Sequence, residues 1–294
     1  MQLSVIIINH NRFAMTCDCI RSVRQHTHAV LYEIILVDNA STECDPEKFK
    51  EEFPKIHLIK SKKNAGFAYG NNLGIEKAKG EFILLLNNDT IFEEDTISKS
   101  LSYFQQRSNV GVVGCRMIYS DGKVQYTARR FKSISWELLD LFRFIPFLMP
   151  YRKRAGKMLG KYFKHDENIE CDWLNGAFFL FPRKILEQLP GKKLDDRFFM
   201  YGEDQLWCEQ IKELGFRILF FAESTIIHIG AGSAQHSSQI KIRKIMMKHE
   251  LEIMRLRKGS VFYYYVFAFI YVLKESVRNF IKSIVLRLSG KMLR

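Results

Sequence analysis

Proline and cysteine are both scarce in this 294-residue chain, at six residues each. Six prolines and 17 glycines exclude a collagen-like or low-complexity polymer. The thiols, Cys17, Cys19, Cys44, Cys115, Cys171 and Cys208, are scattered, and the one close pair is C-x-C rather than the C-x-x-C of a zinc knuckle or a thioredoxin site. A reduced, cytoplasmic chain is therefore expected. Long apolar runs are missing too. The longest uncharged one, Val261 to Leu273 between Lys258 and Lys274, falls short of the roughly 20 residues of a spanning helix. Met1-Gln2-Leu3 runs straight into the strand-like Ser4 to Ile8, so no secretory leader is expected.

Acid is in deficit, and unevenly. Lys and Arg number 45 against 32 Asp and Glu, a formal +13. Residues 241–294 hold 13 of the cations and three of the acids, so the first 240 residues are close to neutral. With 47% hydrophobic and 26% charged residues, the composition is that of a folded globular protein.

Short apolar strands alternate with helical stretches in the N-terminal part. Strands are predicted at Leu3 to Asn9, Glu33 to Val37, Ile56 to Ile59 and Glu81 to Leu86, with helices near Thr16 to Gln25, Pro46 to Phe53 and Tyr69 to Lys79. Strands this apolar predict a largely parallel sheet covered on both faces, with ligands at the strand C-terminal ends. Three such ends are polar: Asn9-His10-Asn11-Arg12, Asp38-Asn39-Ala40-Ser41-Thr42 and Asn87-Asn88-Asp89. Any one of them reads as a turn, because Asn, Asp and Ser hydrogen-bond their own backbone. Three together read as a site.

Asp204 shares a helical face with Trp207, Cys208 and Ile211, an unusual place for a solvated acid and a suitable one for a general base. Glu203 points about 100° away on such a helix, so the two acids are expected to differ in role. Asp89, at the end of an apolar strand, suits a hard cation completed by phosphate and water. His228 alone reads as a packed or capping residue. The glycine-rich Asn64 to Gly74 allows close backbone approach before a helix N-terminus, but it is not the G-x-G-x-x-G of dinucleotide binders.

These pieces, in order, resemble family 2 glycosyltransferases of the GT-A fold, in particular the rhamnosyltransferase-like enzymes of cell-surface polysaccharide assembly. The likeness runs from Ser4-Val5-Ile6-Ile7-Ile8-Asn9-His10-Asn11-Arg12 through Val37-Asp38-Asn39, Asn64-x-Gly66-Phe67-Ala68 and Leu85-Leu86-Asn87-Asn88-Asp89-Thr90. It continues with Asn175-Gly176-Ala177 and Phe199-Met200-Tyr201-Gly202-Glu203-Asp204, and ends at His228-x-x-Ala231-Gly232-Ser233. It implies a mostly parallel sheet flanked by helices and an inverting sugar transfer, with rhamnose from dTDP-rhamnose as the first donor to consider and UDP-sugars next. It also implies that Asn9, Asn11, Arg12, Asp38, Asn64, Gly66, Asn87 and Asn88 bind the donor. Asp89 and His228 would hold Mg²⁺ or Mn²⁺, Asp204 would be the base, and Glu203 would support it or the acceptor. Trp173, Gly176 and Ala177 would line the acceptor side. Two positions depart from many relatives: Leu206 stands where an acid is common and Gln210 where an Arg is common.

Residues 1–239 read as the catalytic domain, with a nucleotide-sugar half at 1–115 and an acceptor half at 116–239. Within the latter, residues 131–164 combine an apolar, proline-punctuated stretch with six cations from Arg152 to Lys164. That suits an interfacial element facing anionic lipid and, equally, an insertion with a solvated basic helix. Residues 240–294 read as a helical basic and aromatic extension that contacts a membrane surface, on the inner face of the plasma membrane, or packs against the protein or a twin subunit as a homodimer. A glycan or polyprenyl-linked acceptor would suit such a chain. Single-strand nucleic-acid binders also combine cations with aromatics. Here no basic residue falls between Ser260 and Leu273, so no nucleic-acid partner is expected. A nucleotidyltransferase and a non-catalytic sugar-nucleotide binder are the other rivals.

Overall fold

The computed structural model describes residues 1–230, 236–257 and 259–288, and its contacts divide into two compact units. The first, Met1–Arg130 with Leu159–Gln235, carries a nine-stranded sheet. In chain order its elements are β1 (Leu3–Asn9), α1 (Phe13–His26), β2 (Tyr32–Asp38), α2 (Lys48–Glu52), β3 (His57–Lys60), α3 (Phe67–Lys77), β4 (Phe82–Asn87), β5 (Thr90–Phe92), α4 (Thr96–Gln105) and β6 (Val110–Ile118). The second unit, Phe131–Met158 with His236–Arg294, interrupts it with α5 (Ile134–Leu141), α6 (Phe144–Leu148) and α7 (Tyr151–Met158). The first unit resumes with β7 (Ile169–Cys171), β8 (Phe178–Pro182), α8 (Glu203–Glu213) and β9 (Arg217–His228). Helices α9 (His236–Leu256) and α10 (Val261–Leu288) complete the second unit.

The sheet order is β3-β2-β1-β4-β8-β6-β9-β5, with β7 on β9. Strands β3, β2, β1 and β4 are mutually parallel, as their apolar runs predict; Leu84, Leu85 and Leu86 are buried whichever face they take. Beyond β4 the sheet is mixed, because β8 enters antiparallel to both β4 and β6. Helix α3 lies so close to β1 that a Cβ on Gly74 would stand 2.5 Å from Ile6 Cγ2, and one on Gly70 would stand 3.2 Å from Ile8 Cγ2. Those two glycines serve helix-to-sheet packing rather than ligand approach. Gly66 differs: its φ is +101° and its Cβ would meet Phe199 O at 2.3 Å, so only glycine lets the loop before α8 close on the start of α3.

The second unit is helical. Its small core joins Met254, Phe267 and Tyr271, and beside it Lys274, 1% exposed, is ion-paired to Glu137 and Asp140 on α5. Opposite this inner face α10 exposes Phe262, Tyr265 and Phe269, and α6 exposes Phe144, Phe147 and Leu148. Among the described residues no helix is long and apolar enough to cross a membrane.

Candidate active site

Parallel register sets the strand ends side by side, with Asn9 opposite Asp38 and Ile8 opposite Asn87. A hydrogen-bonded chain then ties the three polar ends together. Asn88 Nδ2 donates to Thr16 Oγ1 at 2.9 Å, and that hydroxyl donates to Asn9 Oδ1 at 2.9 Å. Asn9 Nδ2 donates in turn to Asp38 Oδ1 and Ser41 Oγ, at 2.9 and 3.0 Å. Asp38 Oδ2 accepts from the Ser41 N–H, so both carboxylate oxygens have protein partners and the side chain is buried. Asn11, at φ +51°, accepts from the Thr42 and Glu43 amides and holds that loop.

Above these ends lies a cavity of about 420 Å³. Of the residues singled out in the sequence, Arg12, Asn64, Gly66, Asn87, Asn88, Asp89, Gly176, Ala177, Glu203, Asp204 and His228 line it. Asn9, Asn11, Asp38 and Trp173 do not. The first three brace the loops from behind, and the Trp173 indole donates to Arg130 O under the Arg129 guanidinium. The wall also includes His10 and Asn39, which stood in the quoted motifs without being assigned a role. Side chains alternate along a strand, so a buried Asp38 leaves Asn39 facing the other way. Asn39 Nδ2 donates to Asn64 Oδ1 at 2.9 Å and to Gly66 O, while its buried Oδ1 has no hydrogen-bond partner. Leu206 is buried in the core and Gln210 donates to Asp195 Oδ2, so neither departure from the relatives' pattern touches the cavity wall.

The carboxylates enter from the start of α8. Tyr201, at φ +71°, and Gly202, at φ +104°, turn the chain sharply into the helix, where the dipole favours acids in the first turn. Asp204 Oδ2 accepts from the Gly176 N–H at 3.1 Å, and Oδ1 accepts from the Gln205 N–H at 2.8 Å. Glu203 is 6% exposed and its Oε2 has no hydrogen-bond partner. Burial, and then the neighbouring Asp204 charge, push the Glu203 carboxyl up to about 8. Burial raises Asp204 as well, but its two N–H donors oppose the shift. Both carboxyls are thus raised by burial, and the two backbone N–H donors oppose that rise on Asp204 while no N–H or side-chain donor meets Glu203 Oε2.

Antiparallel pairing of β5 with β9 puts Thr90 opposite His228, which brings the imidazole to Asp89. His228 Nε2 lies 3.2 Å from Asp89 Oδ1 and 3.3 Å from Asn87 Nδ2, and Asp89 Oδ2 accepts from the Gly230 N–H. Burial acts to raise Asp89; the His228 ring and the Gly230 N–H outweigh it, leaving the carboxyl below its ordinary range. Among the described residues no group of three or more His, Cys, Asp or Glu could hold a metal ion. Asp89 and His228 are thus a two-donor set, which fits a cation that completes its shell with phosphate oxygens and water. Ala231, Gly232 and Ser233 lie outside the described residues.

Solved structures with the same fold include the mannosyltransferase PcManGT from Pyrobaculum calidifontis, determined with GDP-Man and Mn²⁺, at 14% identity and a TM-score of 0.61 over 99% of this chain and 80% of that one. GalNAc-T7, determined with UDP, GalNAc and Mn²⁺, matches at 19% identity and a TM-score of 0.59 over 77% of this chain and 43% of that one. At these identities the likeness is one of fold, and the fold is GT-A. Curated relatives include the O-antigen biosynthesis protein RfbC of Myxococcus xanthus, 26% identical over 77% of this chain, and the uncharacterized glycosyltransferase YfnE of Bacillus subtilis, 24% identical over 73%. The aligned regions span 17% and 55% of those two proteins. Residues 4–189 match the model of glycosyl transferase family 2, which covers more than half of the chain and both sides of the cavity as far as Ala177, and the chain belongs to that family.

Proposed function

We propose that this chain transfers a sugar from a nucleoside diphosphate to an acceptor hydroxyl, with inversion at the anomeric carbon, in the assembly of a polysaccharide. The observation that carries the reading is the arrangement on one wall: Asp204 held by two backbone N–H donors beside a buried Glu203 with an unpartnered oxygen, facing a cavity that Asp89 and His228 also line. Asp204 takes the acceptor proton as the acceptor oxygen attacks the anomeric carbon and the bond to the diphosphate breaks on the opposite face. Glu203, as a neutral acid, donates a hydrogen bond to the acceptor. Arg12, Asn39 and Asn64 hold the nucleoside end, with Asn9, Asn11 and Asp38 fixing their loops. Asp89 and His228 would hold a divalent cation, Mg²⁺ or Mn²⁺, which would supply charge stabilisation for the departing diphosphate.

Among donors, dTDP-rhamnose is the first to try and UDP-sugars the next, on the strength of the motif resemblance. Ligands that bind only the folded state raise its apparent stability. Thermal unfolding with dTDP, UDP or GDP, each with and without Mn²⁺, is expected to show a metal-dependent shift for one nucleotide that Asp89→Ala loses. No shift with any of them would overturn the donor-site reading.

The second unit supports a peripheral membrane location on the cytoplasmic face. Phe144, Phe147 and Leu148 on α6 are 65, 61 and 80% exposed, and α7 follows with exposed Arg152, Lys153 and Lys157. Exposed aromatic rings beside unneutralised cations suit the surface of an anionic bilayer and a lipid-linked acceptor. A homodimer through the same face would bring like charges together.

A further inference from the structure

The chain turns back after β6 through the tight loop Tyr119–Lys123, where Tyr119 N–H donates to Lys123 O at 2.8 Å and Gly122 N–H to Tyr119 O at 2.9 Å. The returning segment lays Gln125 against the end of β9, with its own N–H on Met117 O. Gln125 is 7% exposed and both ends of its amide meet the same residue. Its Nε2 donates to the backbone carbonyl of His228 at 2.5 Å, and its Oε1 lies 2.8 Å from His228 Nδ1.

This pair of contacts has one consistent assignment. A carbonyl oxygen only accepts, so the amide NH₂ must face His228 O and the amide oxygen must face the ring. An amide oxygen also only accepts, so Nδ1 must carry the proton. A ring protonated on both nitrogens would donate to Gln125 and to Asp89, the contact that lowers the Asp89 carboxyl; in the neutral ring Nε2 keeps the lone pair, beside Asp89 and within reach of the Asn87 Nδ2 donor. A metal-ligating histidine is commonly fixed in this way by a partner on its other nitrogen. Without Gln125 the other tautomer is favoured, because a proton on Nε2 could donate to Asp89 Oδ1, and that proton would occupy the atom a cation needs.

We propose that Gln125 is a positioning residue that holds His228 as the Nδ1–H tautomer and keeps the Nε2 lone pair turned toward Asp89. The link to cation binding rests on the proposed role of Asp89 and His228; the tautomer assignment does not. The experiment uses full-length protein labelled with ¹⁵N-histidine, with long-range ring correlations recorded where the ring is neutral and His228 assigned by comparison with His228→Gln. Wild type is expected to show a protonated Nδ1 and a bare Nε2. Gln125→Leu, of similar size, is expected to move the proton to Nε2 and to weaken Mn²⁺ binding in the presence of nucleoside diphosphate by about 10- to 100-fold. Retention of the Nδ1–H form in folded Gln125→Leu overturns the proposal, whatever the metal does. If the tautomer switches but wild type itself binds no Mn²⁺, the positioning role stands and the cation reading falls.

Discussion

The two acids at the start of α8 are adjacent in sequence and opposite in chemistry, and the difference lies in their hydrogen bonds. Asp204 has two backbone N–H donors, whereas Glu203 has a buried, unpartnered oxygen. Asp204→Asn removes the base and is expected to lower transfer by about 10²- to 10⁴-fold while nucleotide-induced stabilisation persists. Glu203→Gln mimics the neutral acid and is expected to retain most transfer at pH 7. Because Glu203 is raised to about 8, wild-type turnover should fall as pH rises through that value, and the Gln variant should lose that limb. The stability consequence has a definite sign. A carboxyl with a raised folded-state pKa binds more protons folded than unfolded, so its contribution is present below the ordinary Glu range and is lost as pH rises through about 8. Thermal unfolding from pH 6 to pH 9 should therefore cost wild type more than Glu203→Gln. Equal slopes, or turnover flat through pH 8, would mean that Glu203 is ionised at neutral pH.

Among the elements, α3 carries the sharpest contrast, because its glycines act at different contacts. Gly74→Ala forces its Cβ against the buried Ile6 side chain and is expected to destabilise the fold by about 1–3 kcal/mol, with nucleotide binding intact in the folded fraction. Gly66→Ala meets the Phe199 carbonyl oxygen with a backbone at φ +101°, so the loop leading to Tyr201 and Glu203 has to move. Nucleotide stabilisation should drop in that variant even where folded protein is recovered, and matched binding in the two variants would refute the distinction. The glycines were legible in the sequence; their division of labour was not, because it depends on which strand and which loop cross the helix. The same holds across the sheet. The runs of β1, β2 and β4 announce parallel strands, and their polar ends announce a site. The entry of β8 between β4 and β6 is set by pairing over about a hundred residues, and the meeting of His228 with Asp89 depends on the short β5 pairing with β9. Asp38 was legible as an acid at a strand end but not as a buried brace, since its partners Asn9 and Ser41 come from a neighbouring strand end and a loop that register brings together.

For the whole molecule the informative quantity is the uneven charge, nearly neutral over 240 residues and strongly positive after them. The sequence showed that asymmetry directly. It did not show that Phe131–Met158 groups with the C-terminal helices, because the buried Lys274 that pairs with Glu137 and Asp140 is an ordinary cation when read along the chain. With Lys274 turned inward, the outer face of α10 is left to Phe262, Tyr265 and Phe269. Each buried ring contributes about 1.5–3 kcal/mol, and each cation near an anionic surface about 1 kcal/mol, so a few of both suffice for reversible attachment. Full-length protein is expected to co-sediment with vesicles containing anionic phospholipid and to be released by high salt. Phe262→Glu with Phe269→Glu should weaken co-sedimentation while the nucleotide-induced thermal shift, which reports on the sheet-bearing unit, stays unchanged. Undiminished sedimentation of that variant would exclude α10 as the lipid contact. A fall in its solution mass from dimer to monomer would assign the aromatic face to a second copy of the chain instead.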